Sequence, residues 1–194
     1  MSNIFQDIYD TNFWGNAESV SGHGSNLEQT AYIRAALPNV FKNLKVKSIL
    51  DIPCGDMYWA AKMQWPLAYI GADVVPELIA ANKQKYPDAD FRLLDITRDT
   101  LPRVDLVFVR DLFGHFCNAD VQRSLRNIRA SGSTYLLSTT FPDRDTEPTD
   151  ILTGQWRPIN LGRMWGLPDP LAIINEYSPH KGFEDKSLGL WKLS

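Results

Sequence analysis

Five short runs, apolar almost from end to end, set the tightest limit on what this chain can fold into. They lie at residues 48–52, 68–73, 91–95, 105–109 and 133–141. Each is too brief for a buried helix, and the last, STYLLSTTF, is rich in the β-branched and aromatic residues that suit a pleated surface. Segments of helical period separate them. Residues 26–37 read as a helix capped by Asn26 or Ser25, and residues 57–65 as a short one stopped by Pro66. Pro76 suits the first position of a helix running to about residue 86, and residues 119–130 follow Asn118 as a cap. Strands that are continuously apolar and alternate with helices belong in a parallel sheet covered on both faces. The expectation is an α/β, doubly wound, mostly parallel seven-stranded sheet. Residues 172–177 and 187–193, joined by the turn-like SPHKGFED, are expected to close it as an antiparallel C-terminal hairpin.

The 194 residues favour one domain. Within it, residues 1–25 read as an N-terminal lid, and residues 142–170, rich in Pro, Asp, Gly and Trp without a period, as a substrate loop. A hydrophobic fraction of 44%, a net charge of −3 and a pI near 5.6 argue for a soluble domain and against a broadly basic nucleic-acid footprint. No apolar run approaches the roughly 18 to 20 residues of a membrane span, and the first fifteen residues are too polar and acidic for a signal peptide. Two cysteines, Cys54 and Cys117, lie far apart without CxxC spacing, which fits a reducing cytoplasm better than a disulfide framework or a zinc site.

In a doubly wound sheet, ligands bind at the carboxyl ends of the strands, and here those ends carry acids. Asp51, Asp73 and Asp95 each close one of the first three runs. A single strand-end acid is ordinarily a helix cap or a solvated loop charge. Three in register, the first leading into Pro53-Cys54-Gly55-Asp56, point to a nucleoside site. Gly55 lacks a Cβ where backbone must approach a ligand. Asp73 is placed to accept from ribose hydroxyls and Asp95 from an adenine amino group. The turn is not GxGxxG, since Pro53 and Met57 stand where glycines would, and Asp56 would repel a phosphate. A nucleoside cofactor without a phosphate fits best.

LDIPCGDMYW, GADVVPELI, RLLDIT and DLVFVRDLFGH, taken in order, resemble the successive motifs of class I S-adenosylmethionine-dependent methyltransferases over about residues 48–141. RDLFGHF, NIRASGSTYLLSTTF and WRPINL are similar to runs in a group of small methyltransferases. The resemblance implies a Rossmann-like methyltransferase fold with S-adenosyl-L-methionine as cofactor. It implies that Asp51, Pro53, Cys54 and Gly55 line the methionine portion, that Asp73 takes the ribose with Val74 on the adenine face, and that Asp95 and Ile96 meet the adenine edge. Arg110 would close the pocket below the sulfonium.

If the acceptor is a hydroxyl, a base must take its proton, and His115 and Asp111, after the fourth strand, are best placed. His115 could equally be a hydrogen-bonded loop histidine. Ser21 to Ser25 could hold the cofactor's carboxylate or serve as linker and cap. Trp156, Arg157 and Asn160 are candidates to stack on and grip an acceptor, or to anchor their loop. Asp111, Asp143 and Asp145 are too loosely spaced to assign a metal. The reading is a cytoplasmic enzyme that O-methylates a small hydroxylated metabolite or glycan, with no membrane partner and nucleic acid disfavoured. The alternatives are a methyltransferase of macromolecules and a non-catalytic cofactor-binding subunit.

Overall fold

A computed structural model of the chain describes residues 4–66, 68–144 and 149–193. Its strands form a seven-stranded sheet in which, from one edge to the other, the neighbours are residues 90–93, 68–73, 48–51, 106–109, 135–140, 187–192 and 172–175. The chain packs as two compact units, residues 1–95 and 96–194.

The first unit holds helices α1 (Ile4–Asp10), α2 (Ala31–Asn43) and α3 (Pro76–Lys85) and strands β1 (Ser48–Asp51), β2 (Ala68–Asp73) and β3 (Asp90–Leu93). β1 and β3 each pair in parallel with β2. Helix α2 begins later and ends later than its sequence suggested. Asn26 does not cap it. Its side chain instead accepts the Gln29 amide at 2.8 Å, holding residues 26–30 in a turn. At the other end the helix runs through Pro38, because buried Ile33, Leu37 and Phe41 repeat every fourth residue across the proline. That stripe outweighs the roughly 3 kcal/mol an internal proline costs. Residues 57–65 form only a single 3₁₀ turn at Ala60–Lys62, since Gly55 and Met57 adopt φ of 55° and 60° and break the helical path. β3 ends at Leu93, so Asp95 lies two residues beyond the strand.

The second unit holds β4 (Leu106–Val109), α4 (Asn118–Ala130), β5 (Tyr135–Thr140), α5 (Leu161–Met164), β6 (Ala172–Asn175) and β7 (Ser187–Lys192). β4 and β5 are parallel, while β7 runs antiparallel to both β5 and β6, so the expected C-terminal hairpin is present. Every residue of β4 is buried. Helix α4 lays Val121, Leu125 and Ile128 against the interior at helical spacing. Its N-cap is Cys117 rather than Asn118, whose amide donates to the Asp150 carboxylate at 2.7 Å. Gly189 in β7 is dictated by packing, because a Cβ there would collide with the buried Trp191 indole. Among the described residues, no helix is long and apolar enough to cross a membrane.

Candidate functional site

In the first unit, two buried carboxylates lie at the ends of adjacent strands. Asp51 closes β1 and accepts the Tyr69 hydroxyl at 2.7 Å. Burial, and then the Asp51 charge, push the Tyr69 phenol well above its usual range, so it stays protonated and serves as a donor. Asp73 closes β2 and turns its carboxylate on the backbone. One oxygen accepts the amides of Val74 at 2.7 Å and Val75 at 3.1 Å, and the other accepts the Gly55 amide at 3.1 Å. Burial raises the Asp73 carboxyl to about 6 in spite of these three donors. A carboxyl group so poorly solvated, with its Gly55-bound oxygen able to accept again, fits a ligand that donates hydroxyl hydrogens.

The turn between the two acids is fixed from several sides. The Ile52–Pro53 bond is cis, and the Cys54 amide donates to the Ala72 carbonyl at 2.8 Å. Asn82 of α3 donates to the Gly55 carbonyl at 2.7 Å. Burial, then Asp73 and Asp51, push the Cys54 thiol well above its usual range, so it is no nucleophile.

Two expectations about this turn need correcting. Gly55 does not leave open space for a ligand, because a Cβ on it would collide with Ser21 Oγ. Glycine is required there by that contact and by its positive φ. Asp56 is not a solvated charge waiting to repel a phosphate. Its carboxylate accepts the Ser19 hydroxyl, the Val20 amide and the Tyr58 amide, each within 3.0–3.1 Å. The Asp56 amide in turn donates to Ser21 Oγ at 3.2 Å. Ser19, Val20 and Ser21 are therefore strapped onto the turn. Residue spacing gave no sign of this, because the partners lie some 35 positions apart. Val74 is half-buried beside Asp73, and Asp95 is half-buried beyond β3.

In the second unit, Ile96 is buried, and its carbonyl accepts from Asn127 at 3.0 Å. Its side chain belongs to the core. Arg110 follows β4 and spends its guanidinium on Glu176, donating from Nε at 3.1 Å and from Nη2 at 2.7 Å. Its side chain is thus an ion-pair partner of the hairpin. Asp111 has φ of 55°, its amide donates to Thr139 Oγ1 at 2.9 Å, and its carboxylate accepts from Lys186 Nζ at 2.7 Å. Burial would raise this carboxyl, but the Arg110 and Lys186 cations outweigh it and hold the group at about 2. So acidic a group is a poor base, which corrects the sequence reading of Asp111 as an alternative base. Glu176 and Lys186 were not anticipated from the sequence, where nothing distinguishes them from surface charges.

His115 shares the turn after β4. Its Nδ1 lies 3.0 Å from the Gln155 carbonyl, which can only accept, so Nδ1 carries hydrogen and the neutral ring keeps its basic lone pair on Nε2. Burial lowers its pKa against the pull of Asp111. Gly114 is confined by the Arg157 carbonyl, which a Cβ would meet at 2.8 Å.

Of the three acceptor candidates, Trp156 alone keeps an open face. It is 45% exposed, stacked on Phe183 at 5.1 Å and edge-on to Phe141 at 6.1 Å. Arg157 is buried and donates to the Thr149 and Phe116 carbonyls and to Asn118 Oδ1. Asn160 caps α5 through the Gly162 amide and donates to the Pro142 carbonyl. Both tie down their own loop and are not displayed to an acceptor. Among the described residues, no three His, Cys, Asp or Glu side chains converge as a metal site would require. Asp145 lies outside the described residues.

No family model matches the chain, and no curated protein resembles it closely in sequence. Solved structures do resemble it in fold. Human N-acetylserotonin methyltransferase in complex with SAM superposes with a TM-score of 0.62 at 14% identity, over 98% of this chain and 59% of that one. The N-methyltransferase NodS from Bradyrhizobium japonicum, in complex with S-adenosyl-l-homocysteine, gives 0.69 at 12% identity, over 98% of both chains. Magnesium protoporphyrin IX methyltransferase from Synechocystis, with bound SAM, gives 0.63 at 13% identity, over 98% of this chain and 96% of that one. This chain therefore spans somewhat over half of the human enzyme and nearly all of the two bacterial ones. With its strand order and reversed β7, it has the class I S-adenosylmethionine-dependent methyltransferase fold.

Proposed function

We propose that the chain is an S-adenosylmethionine-dependent methyltransferase that O-methylates a small hydroxylated metabolite or glycan. The observation that carries the cofactor reading is Asp73, a buried carboxyl at the end of β2, bound to the amide of the turn after β1 and short of solvation. Ribose hydroxyls would add donors to the oxygen that so far accepts only the Gly55 amide. Asp51 and the strapped turn would line the methionine portion, with Val74 and Asp95 toward the adenine. When bound, the cofactor supplies an electrophilic methyl group on a sulfonium, which leaves as a neutral thioether.

The chain's own part is to bind, orient and take a proton. His115 Nε2 would accept the acceptor's hydroxyl proton as the oxygen takes the methyl group, while the Gln155 carbonyl holds the ring by its Nδ1–H. The open face of Trp156, stiffened by Phe183, offers a flat apolar platform of the kind a sugar or phenol ring packs against. Arg157 and Asn160 have no part in this.

Calorimetric titration with S-adenosylhomocysteine tests the cofactor half. Wild type should bind, and folded Asp73→Ala should bind more weakly by about 1 to 3 kcal/mol. Transfer of a labelled methyl group across a panel of sugars, glycosides and phenols tests the acceptor half. Unchanged affinity in Asp73→Ala would remove the cofactor assignment. Transfer to amines alone would remove the O-methylation reading.

A further inference from the structure

Four charged side chains are gathered where β4 ends and the β6–β7 hairpin begins its return. Arg110 grips Glu176, and Lys186 Nζ lies 2.7 Å from Asp111 Oδ2 and 3.5 Å from Glu176 Oε2. Arg110 Nη1 stands 3.3 Å from the same Asp111 oxygen. The side chains of Arg110, Glu176 and Lys186 are at most 5% exposed, whereas that of Asp111 is 30% exposed. Burying two cations and two anions costs more in lost hydration than their attraction commonly returns, so stability alone does not explain the cluster. Hydrophobic side chains of like volume would fill the space more cheaply. What the arrangement achieves is to present one carboxylate at the surface, fixed in place and fixed in charge.

Asp111 is fixed in backbone as well. Its left-handed φ of 55° is unfavourable for an aspartate, and it is held there by the amide's bond to Thr139 and the carboxylate's bond to Lys186. The turn then runs directly to His115, whose amide donates to the Leu112 carbonyl at 2.8 Å. The groups that act on the imidazole come from three segments: Asp111 from its own turn, Lys186 from the residue before β7, and the Gln155 carbonyl from the loop before α5. Arg110 acts on the Asp111 carboxylate alongside Lys186.

We infer that Lys186 is a positioning residue, which through its ion pair with Asp111 sets the electrostatic surroundings of His115. The use of His115 as a base rests on the function proposed above, but the coupling itself does not. Lys186 neither donates nor accepts the transferred group. It holds the anion in the turn that leads to His115 and supplies a balancing cation, which adds to the larger effect of burial in favouring the neutral imidazole.

The test follows the imidazole directly. His115 is one of three histidines, with His23 and His180, so its ring proton resonances can be assigned by substitution and titrated by NMR. In Lys186→Met the unbalanced Asp111 anion should raise the His115 titration midpoint by about half a pH unit or more. Lys186→Arg keeps the cation and should restore the midpoint. Asp111→Asn removes the anion and should move the midpoint the other way, downward. Opposite shifts from the two ends of one ion pair are not expected of substitutions that merely loosen the fold. Should Lys186→Met fail to fold, Asp111→Asn, whose side chain is partly exposed, carries the test alone. An unmoved midpoint in Lys186→Met, a rise in Asp111→Asn, or shifts of the same sign in both would overturn the inference. Titration with S-adenosylhomocysteine is read separately. Shifts as expected in a protein that binds no S-adenosylhomocysteine would uphold the coupling and sink the methyltransferase reading.

Discussion

Acidification should loosen the cofactor before it unfolds the protein, and Asp73 sets the scale. Burial holds this carboxyl at about 6, within reach of mild acid, where an ordinary aspartate would stay ionised. Under the proposed function, ribose hydroxyls donating to Asp73 would favour its charged form, so the protonated form would bind weakly. At about pH 7.5 nearly all of the free protein has the anion. At about pH 5, one unit below the midpoint, only about one molecule in eleven does, so the apparent dissociation constant should rise about tenfold, or about 1.4 kcal/mol. Calorimetry with S-adenosylhomocysteine between about pH 5 and 7.5, in two buffers of different ionisation enthalpy, measures both the affinity and the protons released on binding. Asp73→Asn should bind more weakly at neutral pH and show a much flatter profile.

The stability of the free protein should respond to the same group with the opposite sign. A carboxyl whose folded pKa is raised contributes stability that is full below its unfolded value, near 3.8, and is lost as pH climbs through about 6. The difference of about two units is worth about 3 kcal/mol. Acid therefore relieves the free fold at Asp73 while it weakens the complex. An affinity that stays level from pH 7.5 to 5 in folded wild type would refute the reasoning, because it would mean that no ligand group leans on the Asp73 charge.

Gly55→Ala should cost about 1 to 3 kcal/mol in urea unfolding, since the new methyl meets Ser21 Oγ and the backbone has φ of 55°. The same variant should raise protease sensitivity around Ser19 to Ser21 if the strap is displaced. Arg157→Met should destabilise by about 2 to 4 kcal/mol, seen as a lower melting temperature, because one buried and two part-buried acceptors lose their donor at once. His115→Ala should lower turnover by about 10²- to 10⁴-fold with S-adenosylhomocysteine affinity nearly kept, and near-normal turnover would remove His115 from the chemistry.

What could be seen in the sequence was whatever repeats. The strands were visible because each is a continuous apolar run, and α3 because Pro76 and the strand before it fix its start. Asp51 and Asp73 were visible because they recur at the same place in successive strand-and-helix units. The strap was hidden, because Ser19 and Asp56 meet only through tertiary folding. Arg157 and Asn160 misled for a related reason. Polar residues in a long irregular loop look displayed, yet a loop that packs on the core must satisfy its own carbonyls, and the five donors of an arginine do so economically. Helix 57–65 failed because its hydrophobic pattern is adequate but its first residue, Met57, is held in left-handed backbone by the turn.

That last failure leads to the one local rule the chain breaks twice in equivalent places. Among the described residues, five other than glycine have positive φ: Asn12, Lys45, Met57, Asp111 and Tyr177. Asn12 and Lys45 follow the ends of helices, where a left-handed residue closes the last turn, and Tyr177 follows an edge strand. Met57 and Asp111 differ, since each stands in the turn after the first strand of its unit, β1 or β4. A left-handed conformation costs a non-glycine residue roughly 1 to 2 kcal/mol, and it persists only where neighbours over-determine it. At Met57 the neighbours are Asp56, which takes the Tyr58 amide, and the Tyr69 hydroxyl, 3.1 Å from the Met57 sulfur. At Asp111 they are Thr139 and Lys186. In each unit the strain is held by polar contacts that also fix a carboxylate: Asp51 through Tyr69 in one, and Asp111 through Lys186 in the other. Relaxing either turn should leave its strand intact and release the acid, which is why these two positions, and not the buried strands, are where substitution should separate binding and chemistry from folding.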